Sequence, residues 1–157
     1  MDGFKIVAIG ASAGGIRALI TVLSSLPFDL PTALLIVQHL EPDHKSMVTQ
    51  ILQKRCVIKI KTAEEGEIIE PSVAYLAPPD KHLLFITGKI ALTSSPLVNY
   101  SRPSIDVLFK SVAEGMDGRA IGVILTGSNM DGTEGTKAIK QSGERQLHRT
   151  LGPLSKA

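Results

Sequence analysis

FKIVAIGASAGGIRALITVL, Phe4 to Leu23, is the stretch that decides the fold. Phe4 to Ile9 is a short apolar, β-branched run that halts at Gly10, as a strand buried on both faces of a parallel sheet does. Gly10 to Gly15, GASAGG, reads as a turn. Ile16 to Ser25 then places apolar residues at 16, 19, 20, 22 and 23, the spacing of a helix laid on a sheet. Pro27 and Pro31 bound a loop, and Ala33 to Val37, ALLIV, is a second buried strand. A polar loop, Gln38 to His44, leads into a helix over Lys45 to Lys54. The order β-α-β-α predicts an α/β domain with a parallel sheet.

The middle of the chain has a different texture. Val57 to Thr62, Val73 to Ala77, Leu83 to Ile86 and Ile90 to Leu92 are short strand-like runs separated by turn residues, with Thr87-Gly88-Lys89 as a hairpin connection. They predict a β-rich excursion from the main sheet. Ser104 to Ala113 reads as a helix that starts at Pro103 or Ser104. Ala120 to Leu125, AIGVIL, is a third strong buried strand, and Gly127 to Gly132 a loop. A helix over Thr133 to Gln141 is expected to stop near Gly143.

Composition narrows the classes. The 157 residues suit one compact domain, and 43% hydrophobic with 20% charged residues is globular and not disordered. A net charge of +2 is too small to recommend a nucleic-acid or membrane-surface role. The single cysteine, Cys56, allows no internal disulfide and no C-x-x-C pair. The longest apolar run, Thr32 to Val37, is far short of a membrane span, and Met1 to Gly10 lacks the pattern of a signal peptide. A cytoplasmic protein is expected.

The loops after the three strongest strands carry Ser12, His39 and Asp131. In an open α/β sheet, ligands gather beyond the carboxyl ends of the strands, so these three residues are expected on one edge. A hydroxyl nucleophile, an imidazole base and an orienting carboxylate form a hydrolytic triad. Small neighbours around Ser12, Ala13 among them, would let a carbonyl approach and leave backbone N–H groups to bind an oxyanion. Each residue also has a plainer reading. A glycine-rich strand-to-helix turn often cradles phosphate, although this one is neither G-x-G-x-x-G nor G-x-x-x-x-G-K-[ST]. His39 could be a strand-end residue with a structural hydrogen bond, and Asp131-Gly132 could be only a turn, with Asn129 serving the same turn. Asp43 suits a helix cap, His44 a helix start and His82 a loop; Glu64 and Glu65 suit a solvated face, and Met47, Met116 and Met130 suit packing. His39 and His44 lack the H-E-x-x-H spacing of a zinc site, so no metal is expected.

Five strings resemble the catalytic domain of the chemotaxis protein-glutamate methylesterases, the CheB-type family. They are IGASAGG (9–15), VQHLEPDH (37–44), YLAPPDKHL (75–83), SRPSIDVLFKSVA (101–113) and GVILTGSNMDGTEG (122–135), in the family's order. The resemblance implies a Rossmann-like, doubly wound, mostly parallel sheet flanked by helices, with a hairpin-rich middle. It implies Ser12 as nucleophile, His39 as general base, Asp131 as its carboxylate partner, and oxyanion donors at the backbone N–H groups of Ala13 and Ser128. The implied substrates are glutamate methyl esters on the helices of chemoreceptors or a related signalling protein. Some family members also deamidate receptor glutamine. No cofactor, no nucleic acid and no membrane insertion are implied.

Two departures accompany the resemblance. Phe4 already begins the catalytic domain, so no receiver domain is expected ahead of it. The domain is expected over 4–143, with its C-terminal elements missing, and 144–157, GERQLHRTLGPLSKA from Gly143 on, as an off-family tail. Where the family continues through a strand and a Q-D-P-x-[ST]-A segment, a back-translation of Glu144 to Ala157, read one base earlier, gives GKTIAQDPRTAKQ. One base lost near codon 143 is therefore expected, with a bare sheet edge as its physical result. Two other readings stand beside the esterase: a catalytically impaired remnant that keeps its partner-docking surface, and a nucleotide-binding module.

Overall fold

Both faces of the opening strand are covered. Ile6 and Ala8 enter one apolar cluster, and Ile9 and Ala11 enter another on the opposite side. The computed structural model describes residues 5–12, 14–39, 47–125 and 131–151, the last eight by their backbone alone. In chain order the elements are β1 (Lys5–Ala11), α1 (Gly15–Leu23), β2 (Thr32–Gln38), α2 (Val48–Arg55), β3 (Lys59–Thr62) and β4 (Val73–Leu76). They continue with β5 (His82–Ile86), β6 (Lys89–Thr93), α3 (Ile105–Met116), β7 (Ala120–Ile124) and α4 (Thr133–Leu151).

Five strands form one parallel sheet in the order β3-β4-β2-β1-β7. Strand alternation sorts the core. Leu34 and Ile36 pack with Leu19, Leu23 and Leu52 of α1 and α2, while Ala33, Leu35 and Val37 pack with Leu108, Phe109 and Val112 of α3 on the other face. Helices thus cover both faces, and β1 lies between β2 and β7. The chain turns to opposite faces after β1 and after β7, which opens a crevice at their carboxyl ends.

The middle of the chain corrects the expected excursion. Only β5 and β6 form a separate antiparallel hairpin, turned by Thr87 and Gly88 at φ 50° and 78°. The earlier two runs become β3 and β4 of the main sheet. All four residues of β4, VAYL, are buried, as a parallel strand between two neighbours requires.

Three smaller corrections concern single residues. Gly143 does not stop α4, which continues to Leu151; a Cβ there would meet nothing, and Glu, Arg, Gln and Leu after it are good helix formers. His82 is not a loop residue but the fully buried first residue of β5, bonded to Pro96 O and to the Ser104 N–H. Met47 is 64% exposed and packs on nothing central, whereas Met116 is buried as expected. The run Ala120 to Leu125, expected as a buried strand, is instead β7 at the edge of the sheet among the described residues: none of its five residues is buried, and Ile121 and Ile124 are exposed, because no further described strand pairs with it.

Candidate active site

Ala11 is the register partner of Gln38, so Ser12 and His39 each stand one residue beyond the carboxyl ends of β1 and β2. The His39 N–H donates to Ala11 O at 2.8 Å and ties the two exits together. Gln38 sets the backbone around both. Its Nε2 donates to Ser12 O at 2.9 Å and to His39 O at 3.0 Å. Two carbonyl acceptors fix which end of that amide is nitrogen. The other end, Oε1, is buried without a hydrogen bond beside Gly15, where any Cβ would collide with it. Gly14, at φ 79°, turns the chain into α1 with left-handed backbone that favours glycine.

Asp131 comes from the far side of β1, after β7, and meets His39. His39 Nε2 lies 2.8 Å from Asp131 Oδ2. The carboxylate is wholly buried and the imidazole is 15% exposed. Asp131 also sits on the N-terminus of α3. The N–H of Ile105 donates to Oδ2 at 2.6 Å, and that of Asp106 to Oδ1 at 3.0 Å. The Ser104 hydroxyl donates to Oδ1 at 2.7 Å, and Asn99 Nδ2 at 3.2 Å. Free helix N–H groups and the helix dipole favour an anion there. Burial pushes the Asp131 carboxyl pKa up, but the hydrogen bonds from His39, Asp106, Ile105 and Ser104 outweigh it and hold the value at about 2. Asp131 is therefore an anion at neutral pH and accepts only. His39 Nε2 must carry the hydrogen of that contact, so Nδ1 is the ring nitrogen turned away from Asp131.

That arrangement supplies an ionised carboxylate, an imidazole oriented by it and a serine at the same sheet edge. It suits acyl transfer through a serine nucleophile. Beside His39 is a cavity of about 180 Å³, bordered also by Leu97, Tyr100, Arg102 and Pro103. Arg102 is engaged by Asp80 at 2.8 Å and by the carbonyls of Ser94 and Ser95.

The structure brings His39 to Asp131 and sets Ser12 next to His39 in register. Ala13, Ser128, Asp43, His44, Asn129 and Met130 lie outside the described residues. Among the described residues, no group of three or more His, Cys, Asp or Glu could hold a metal ion. Sequence reasoning missed Gln38, Asn99 and Asp106. Gln38 is the one polar residue ending an apolar strand, and Asp106 is an acid on the apolar face of α3, so both had a local signal. Asn99 had none, because it lies in a loop and its link to Asp131 spans 32 residues.

A family model described as CheB methylesterase matches residues 7–149. The chain belongs to the CheB methylesterase family. It is 45% identical over 141 residues to a relative from Leptospira interrogans, covering 89% of this chain and 73% of that one. It is 46% identical over 143 residues to the protein-glutamate methylesterase/protein-glutamine glutaminase of Escherichia coli (strain K12), covering 88% of this chain and 41% of that one. The crystal structure of the Thermotoga maritima CheB methylesterase catalytic domain matches with a TM-score of 0.85 at 35% identity, over 90% of this chain and 77% of that one. The family's Rossmann-like α/β fold is the fold found here.

Proposed function

We propose that this CheB-family chain is a serine hydrolase that removes methyl esters from glutamate side chains of chemoreceptor helices, or of a related signalling protein, and deamidates glutamine at the same site. The observation that carries the reading is the His39–Asp131 pair, with its carboxylate buried, at the sheet edge where Ser12 leaves β1.

In this reading His39 Nδ1 takes the proton of the Ser12 hydroxyl as its oxygen attacks the ester carbonyl. Asp131 steadies the imidazolium that forms. Backbone N–H groups of Ala13 and Ser128 hold the oxyanion. The imidazolium returns its proton to the departing methoxide, and methanol leaves. Water, deprotonated by His39, then cleaves the acyl-enzyme and restores Ser12. With glutamine the leaving group is ammonia. Every step uses side chains and backbone of the chain, so the reading calls for no metal or organic cofactor. It places the protein in the cytoplasm, with the single cysteine, Cys56, which suits a reducing compartment, as its support.

The test is fluorophosphonate labelling of the purified protein, with the site located by peptide mass spectrometry, followed by methanol release from a methyl-esterified receptor fragment. Label on Ser12, lost in His39→Gln, and methanol release support the reading; a folded protein that takes no label sinks it. The catalytic unit in this proposal is 4–143, and the lost base near codon 143 is checked by reading the DNA there. An intact frame with other codons removes that part alone.

A further inference from the structure

Tyr100 has a position that folding does not explain. It is 98% exposed, so among the described residues it has no core to pack on. Its backbone is left-handed, φ 63°, a region where a bulky aromatic residue is strained. Asn99 before it is also left-handed, φ 52°. The two form the centre of a tight turn closed by Val98 N–H to Ser101 O at 3.0 Å and Ser101 N–H to Val98 O at 2.9 Å. Glycine would relieve the strain and expose no ring. The turn is nonetheless held firmly. Asn99 Nδ2 donates to Asp106 Oδ2 at 2.8 Å and to Asp131 Oδ1 at 3.2 Å, which fixes the tip to the carboxylate that bonds His39.

Tyr100 also borders the cavity beside His39. At about 180 Å³ this cavity is smaller than the 300–1,000 Å³ that small-molecule sites usually offer. It has room for one side chain of a larger substrate, whose body must then lie on the rim. The rim holds Tyr100 and Leu97, the latter 55% exposed. A flat ring with a polar tip and a neighbouring aliphatic group suit the mixed surface of a protein helix.

Resting on the proposed function, we infer that Tyr100 is a specificity-determining residue, whose ring grips the helix of the substrate protein beside the side chain being hydrolysed. Its contribution is to protein substrates over small esters. The decisive quantity is the ratio of kcat/KM for methanol release from a methyl-esterified receptor fragment to kcat/KM for p-nitrophenyl acetate. Tyr100→Gly and Tyr100→Asn both tolerate the left-handed backbone, so the fold is kept and Tm holds or rises. In both variants the ratio falls about tenfold or more, through KM for the fragment, and Tyr100→Phe restores it to within about threefold. Methanol release by the unaltered chain with an unmoved ratio in Tyr100→Gly overturns this inference alone. A parallel loss on both substrates overturns it too, since the ring would then shape the site itself. Hydrolysis of p-nitrophenyl acetate with no methanol from the unaltered chain overturns the substrate reading, and this inference with it.

Discussion

Asp131 and Asp106 each cap the helix that the other belongs to or precedes. Asp131, just before α4, accepts from the N–H groups of Ile105 and Asp106 at the start of α3. Asp106, in the first turn of α3, accepts at Oδ1 from the N–H groups of Gly132 and Gly135 at 3.0 and 2.7 Å, where α4 begins. Two helix N-termini are thereby satisfied by two carboxylates in a reciprocal clasp. The clasp is also what holds Asp131 beneath His39.

Ser12→Ala removes a hydroxyl but keeps the carbonyl that receives Gln38 Nε2 and the Gly15 N–H. Ester hydrolysis should drop by about 10⁴-fold or more with little change in Tm, and His39→Gln should lose a similar factor. Both are read from p-nitrophenyl acetate turnover beside thermal unfolding. Ser12→Ala with more than a tenth of the original rate would remove Ser12 from the mechanism.

Asp131→Asn should damage both activity and fold. An amide cannot hold His39 in the Nε2–H tautomer and accept from Ser104, Ile105 and Asp106 as well. The expected outcome is a loss of about 10⁴-fold in kcat, together with a destabilisation of about 2 kcal/mol or more in urea unfolding. Full activity in this variant would show that His39 is oriented by something else.

Acid should reveal the same carboxylate. Its pKa is about 2 in the folded chain, against about 3.9 unfolded. A depressed folded pKa stabilises the fold above the unfolded pKa and loses that stabilisation as pH falls toward the folded one. Asp131 should therefore contribute about 2 kcal/mol at pH 7, fading between about pH 4 and pH 2. Urea unfolding of the unaltered chain and Asp131→Asn checks this: the gap between them should be constant from pH 7 to 5 and narrow below pH 4.

Asn99 separates two carboxylates by donating one hydrogen to each. Asn99→Asp keeps the size and the left-handed backbone but brings a third carboxylate to Asp106 and Asp131. Asn99→Gly keeps only the backbone. At pH 7 the aspartate variant should unfold more easily than the glycine variant, by about 1–3 kcal/mol, and the difference should shrink at pH 4 as carboxyls protonate. Equal stability at both pH values would mean that the bridge is immaterial.

Much of this architecture can be read directly from the residues. The buried runs at Phe4–Ile9 and Ala33–Val37 became β1 and β2 with their ends shifted by one or two positions, and those ends place Ser12 and His39. Asp131 was legible only as a member of a set, because Asp-Gly by itself is a turn signal. The roles of β3 and β4 were not legible. A four-residue strand shows its apolar face but not which neighbour it pairs with, and the partners of β4 lie on two different stretches of chain. Gly143 misled because glycine ends a helix only where the backbone turns left-handed, and local sequence does not decide that. Asn99 and Asp106 bond each other across 7 residues, but they acquire their importance from Asp131 and the start of α4, 25 to 32 residues away, which periodicity cannot register.

The strand order has a consequence for synthesis. His39 and Asp131 are 92 residues apart, and β7 must dock on β1 before they meet. At about 5–20 residues per second a ribosome needs roughly 5–20 s between the two. For that interval the nascent chain already carries Ser12 and His39 but has no carboxylate to orient the imidazole. On the proposed mechanism the nucleophile is thus made early and armed late, and an unfinished polypeptide passes through translation chemically quiet.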